Sequence, residues 1–179
     1  MSTTSEFSIH GQKRFALWLG MVAVLISPWL LAGQTHPTDA ELKKRFNSHR
    51  GDLERLARMA EEDQHLIRIA SNFTWLDTDA SWPRDNVGIS PARWNAYRSL
   101  FQNLGIDGGI SRRVELPTSL FFLISGFGTV PSGSTKGLVY SPRLLSPTRE
   151  SLDGLNFTDK GIYFEKIAEK WYLFVDNNP

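Results

Sequence analysis

From Phe15 to Gly33 the chain reads FALWLGMVAVLISPWLLAG, 19 residues without a charge, directly after Lys13 and Arg14. As a helix this run measures about 28 Å, against about 30 Å of bilayer hydrocarbon. Residues 13–36 are therefore read as a transmembrane anchor or signal segment. Residues 1–12 are read as a disordered tail and 37–179 as a single α+β domain. The run is longer than a usual signal core of roughly 7–15 residues, and no small-x-small site ends it, which favours an uncleaved anchor. Pro28 points the other way, towards a cleaved signal peptide, while Trp29 sits where an interfacial aromatic belongs.

Beyond the apolar run the pattern becomes amphipathic. Thr38 with Glu41 three residues on has the spacing of a capping box and predicts a helix start. Leu42, Phe46, His49, Leu53, Leu56, Ala60, Ile67 and Ala70 then follow at steps of three, four and seven, with Asp63 as a polar member of the stripe. This predicts one long helix reaching Ala70, with Gly51 as its weak point. The stripe suits packing on the domain's own sheet or, alternatively, a dimer seam. Residues 71–89 show no sustained period and are read as a long loop. Ser90 followed by Pro91 predicts a second helix, with Trp94, Tyr97, Phe101 and Leu104 as its apolar face and Gly105-Ile106 as a Schellman ending.

The period then changes to that of strands. Ile110–Glu115, Leu120–Ser125, Gly137–Ser141, Ile162–Ala168 and Trp171–Val175 are rich in β-branched and aromatic residues. The last two are parted only by Glu169-Lys170, a tight hairpin without Asn-Gly; one helix across 162–175 is the alternative. The expected fold is a transmembrane helix followed by two amphipathic helices on one face of an antiparallel sheet of about four to five strands.

Charge narrows the function classes. The 146 residues after Gly33 carry 18 basic and 18 acidic side chains, a balance that argues against a nucleic-acid partner. The chain has no cysteine, so Leu30-Leu31-Ala32-Gly33 followed by Gln34 cannot lead to a lipidated cysteine. Lys13 and Arg14 favour an N-in orientation with the domain outside the cytoplasm, and Lys43, Lys44 and Arg45 oppose it. Secretion, or release into the periplasm after cleavage, is the alternative localisation.

No catalytic constellation stands out. Glu61 and His65 have the spacing of a metal-ligand pair, but no second pair accompanies them, and no metal or other cofactor is expected. Asp77-Thr78-Asp79 begins like a calcium loop and fails at Trp82 and Gly88. The Gly/Ser/Pro run around 126–136 lacks the order of a phosphate loop, although its backbone donors together with Lys136 suit an anion. Trp75 and Trp82 fall in the long loop and suit a binding surface. The candidate binding residues are thus Trp75, Trp82 and Lys136; His49 or His65 with a carboxylate is the hydrolase alternative.

In Phe46-Asn-Ser-His49-Arg50, Arg93-Trp94-Asn-Ala-Tyr97-Arg98, Lys136-Gly137-Leu-Val-Tyr140-Ser141 and Trp171-Tyr172-Leu173, the chain resembles small, uncharacterised bacterial envelope proteins that are often lipoprotein-like. The resemblance covers roughly residues 40–175 and brings no catalytic residue with it. It implies an envelope protein whose domain binds another protein or a small ligand. A structural dimer through the long helix is the third expectation.

Overall fold

The computed structural model describes residues 35–78, 87–128, 133–155 and 158–177. The tail 1–12, the apolar run Phe15–Gly33, Trp82 and the centre of the 126–136 run lie outside them. Three helices and seven strands follow one another in the order α1 (Asp39–Ser48), α2 (Arg50–Glu62), β1 (Leu66–Ile69), β2 (Thr74–Leu76), α3 (Pro91–Leu104), β3 (Gly109–Arg113), β4 (Leu116–Phe127), β5 (Ser134–Tyr140), β6 (Ile162–Ala168) and β7 (Trp171–Asp176). The strands form one antiparallel sheet ordered β2-β1-β3-β4-β5-β7-β6. This is the expected α+β class. The sheet is larger than expected, because β1 and β2 arise where a helix tail and a loop were predicted. No helix among the described residues is long and apolar enough to cross a membrane.

The helix starts follow their local signals. Thr38 accepts from the Glu41 backbone N–H while the Glu41 carboxylate accepts from the Thr38 N–H, closing the capping box. Ser90 caps α3 through the Arg93 N–H, with Pro91 in the first turn. Gly105 ends α3 at φ 61°, and the Ile106 N–H returns to the Phe101 carbonyl at 2.9 Å, the Schellman geometry.

The single long helix predicted up to Ala70 is instead two helices and a strand. His49 leaves the helical region at φ −127°, two residues before Gly51, and separates α1 from α2. The stripe keeps its face across this break: Leu42, Phe46, Leu53, Leu56 and Ala60 are all buried in one cluster. Asp63 ends α2 because its carboxylate is held from α3. Tyr97 Oη donates to Asp63 Oδ2 at 2.8 Å and Arg93 Nε donates to the same oxygen at 2.9 Å. The last carbonyls of α2 are also occupied, Met59 O by Arg93 Nη2 and Ala60 O by Arg112 Nη2. Leu66–Ile69 then pairs with β2 and β3, which supply the backbone partners that a continuing helix would have found within itself.

All buried apolar side chains of the helices fall in the same cluster as Leu120, Phe122, Ile124, Leu138, Trp171, Leu173 and Val175. The alternating residues Phe121, Val139, Tyr172 and Phe174 point to the opposite face, where Leu145 joins them. The helices therefore cover one face only. On the other, the segment after β5 covers the β4–β6 half and also guards the free edge of β6. There the Arg149 N–H donates to Phe164 O at 2.8 Å and the Phe164 N–H to Pro147 O at 3.1 Å. The β6–β7 hairpin predicted at Glu169-Lys170 is present, with Lys170 taking the left-handed position at φ 62° that Asn-Gly would ordinarily supply.

Candidate functional site

The candidate residues separate in space. Lys136 lies on β5 at 3% exposure, its Nζ 2.7 Å from Asp39 Oδ1 and 2.8 Å from Asp153 Oδ1. Asp39 in turn accepts at Oδ2 from Ser151 Oγ and from the Leu152 and Asp153 N–H groups. The Asp39 N–H donates to both Asp153 oxygens. Burial pushes the Asp39 carboxyl up, but Lys136, Ser151 and the Leu152 N–H outweigh it and hold it at about 2. The ammonium that suited an external anion is thus neutralised by two carboxylates of its own chain, which ties the first turn of α1 to the 151–153 segment.

His36 completes this strap. Asn177 Nδ2 donates to Asp159 O, which leaves Asn177 Oδ1 as the acceptor for Ser134 Oγ–H at 2.5 Å. Ser134 Oγ can then only accept from His36 Nε2–H at 2.8 Å. His36 Nδ1 accordingly accepts from Ser125 Oγ–H at 2.7 Å. Burial first, and then the Lys136 charge, lower the imidazole to about 4. It is a neutral clamp between the ends of β4 and β5. Ordered hydroxyls occupy both of its nitrogens.

The histidines of the hydrolase expectation are elsewhere. His49 is exposed at the α1–α2 break. His65 is exposed too, its Nε2–H donating to Gly88 O at 2.8 Å. Neither lines the clefts beside Asn95 and Gln102, beside Arg58 and Lys170, or beside Arg149 and Lys166.

Of the candidates, Trp75 is the one that stands on a strand beside an arginine. It stands on β2 directly opposite Arg68 of β1, and Arg68 stands opposite Ser111 of β3. Ser111 is opposite Phe121, which faces away from the helices. The row Trp75-Arg68-Ser111 therefore runs across the sheet on its helix-free face, all three residues half-buried. Arg68 Nη2 donates to Gly108 O at 2.7 Å, while its buried Nε has no hydrogen-bond partner. Burial alone lowers its guanidinium, to about 10. The other arginines near this part of the fold are engaged: Arg93 with Glu62 and Asp63, Arg112 with Ala60 O, and Arg113 with Asp176 while crossing the Phe121 ring at 4.9 Å. Arg68 has no carboxylate within ion-pair distance among the described residues.

Sequence reasoning selected Trp75 and missed Arg68, Ser111 and His36. The first was assigned to a helix tail, where its neighbours would have been three and four residues away rather than on adjacent strands. The β-branched Ile67 and Ile69 around Arg68 were the available signal. His36 carried no local signal, since its partners lie 89 and 98 residues away. Comparison with protein-family models, with curated proteins and with solved structures finds no match to this chain.

Proposed function

We propose that this protein is a membrane-tethered or exported component of the bacterial cell envelope whose α+β domain acts by binding a protein or a small ligand. The charged pair Lys13-Arg14 before the apolar run Phe15–Gly33 supports the membrane route, and the resemblance to small envelope proteins supports the compartment. With an N-in orientation the domain stands on the non-cytoplasmic side. The observation that carries the binding reading is Trp75 beside Arg68, which has no carboxylate partner among the described residues, on a sheet face that no described helix covers. Tryptophan and arginine are the side chains that most often concentrate binding energy, one through apolar area and the other through its planar fork of donors.

No observation among the described residues favours the hydrolase alternative: His49 and His65 are exposed, and both ring nitrogens of His36 are hydrogen-bonded. The test is crosslinking of the full chain in native membranes, wild type against Trp75→Ala. Loss of captured material, with the thermal unfolding of the variant unchanged, is the expected result. Equal capture would overturn the assignment of the surface. Protease accessibility of the domain in intact cells and in spheroplasts tests the side of the membrane.

A further inference from the structure

Three properties of the Trp75-Arg68-Ser111 row define more than a generic surface. First, the row has an uncompensated charge. A guanidinium carries five N–H donors, yet among the described residues Arg68 satisfies one acceptor, Gly108 O, and no described acidic side chain lies within ion-pair distance. Removing such a cation from water without an anion is unfavourable, and burial alone depresses its proton affinity. Second, the row is small. Three strands at about 4.8 Å spacing place Trp75 and Ser111 about 10 Å apart, the span of a small molecule rather than of a protein interface. Third, its chemistry is ordered across the strands: aromatic on β2, cationic on β1, hydroxyl on β3. The Ser111 hydroxyl makes only a long 3.3 Å contact to Arg112 O and is free to turn towards a ligand.

We propose that Arg68 anchors a subsite for a small oxyanion-bearing ligand, a carboxylate or phosphate whose attached apolar or ring portion lies against Trp75. The guanidinium supplies the charge-assisted hydrogen bonds and Ser111 Oγ a further donor. Trp75 supplies apolar area at the edge of the sheet. This rests on the binding reading above and names its ligand class.

The full chain in detergent micelles, labelled for NMR, is titrated with benzoate, phenyl phosphate, inorganic phosphate and, as the neutral ring, benzyl alcohol. Expected are shifts in the amide signals of 66–69, 74–76 and 110–112 with the two ring-bearing anions. Inorganic phosphate should bind more weakly, and benzyl alcohol weakest of all. The ratio of benzoate to phenyl phosphate affinity assigns the carboxylate or phosphate class. Arg68→Met should weaken the ring-bearing anions about tenfold or more. It should also unfold at the same or a higher temperature, because it removes an unpaired buried charge. Trp75→Ala should weaken the ring-bearing anions and leave inorganic phosphate unchanged. The subsite is overturned if no anion shifts these signals or if benzyl alcohol binds as well as benzoate. It is also overturned if Arg68→Met loses stability while Arg68→Lys retains it without binding, since that is the signature of a purely structural arginine. If Trp75→Ala abolishes capture in membranes while Arg68→Met does not, the binding surface stands and the anion subsite falls.

Discussion

Lys136 shows how little a residue's type says about its role. By composition it belongs to a Gly/Ser-rich, anion-holding run; by position it is a buried cation with two carboxylates. Removing one member of such a set leaves an unpaired buried charge. Lys136→Met is expected to destabilise the domain by about 3–5 kcal/mol, read from urea unfolding midpoints. Combining it with Asp39→Asn should recover part of that loss, because the stranded carboxylate is then gone. No recovery in the double variant would mean that packing of the lysine stem, rather than charge, dominates. Next to it, Gly137 admits no side chain, since a Cβ there would overlap the backbone carbonyl oxygen of Phe122 on β4. The paired strands can approach this closely at that point because residue 137 is glycine.

At the scale of elements, the strap from His36 to Asp39 is the most condition-dependent part of the fold. Both of its titrating groups are shifted downward, so in both cases the unfolded chain takes up its proton first as pH falls. The His36 contribution is whole above pH 6.5 and declines towards about 4. The Asp39 contribution is whole above 3.8 and declines towards about 2. Glu41, whose carboxyl is also lowered, begins to lose its part only from 4.5. Between pH 6.5 and 4.5 the loss of stability from these shifted groups therefore belongs to His36. His36→Gln should flatten that part of a stability–pH curve while leaving the steeper fall below it. An unchanged slope in the variant would refute the clamp. The helices show a complementary behaviour: their starts at Thr38 and Ser90 depend on neighbours in sequence, whereas the end of α2 at Asp63 depends on Arg93 and Tyr97 some thirty residues away.

At the scale of the whole molecule, the long amphipathic stripe is spent inside the chain. Leu42, Phe46, Leu53, Leu56 and Ala60 pack with Phe122, Leu138, Trp171 and Leu173, so the apolar surface that a dimer seam would need is already buried. A soluble fragment beginning at Thr35 is expected to sediment as a monomer; a stable dimer would restore the seam. Many basic side chains are likewise used internally. Arg45 donates to the carbonyls of Leu104 and Gly105, Arg93 and Arg112 to those at the end of α2, and Lys43 pairs with the buried Glu165.

The sequence by itself determined what depends on short range. It set the capping box at Thr38, the start and Schellman ending of α3, the β6–β7 hairpin, the α+β class and the apolar character of Phe15–Gly33. Each is encoded within a few residues, where spacing and side-chain chemistry act directly. Tertiary structure decided the rest. Leu66–Ile69 became a strand because β2 and β3 offered backbone partners that local periodicity cannot register. Lys136 became internal because Asp39 and Asp153 converge on it from distant parts of the chain. Arg68 came to stand between Trp75 and Ser111 because strand pairing, not sequence distance, sets which side chains share a face. A charge becomes chemically informative when its surroundings leave it unanswered, and only the folded chain supplies those surroundings.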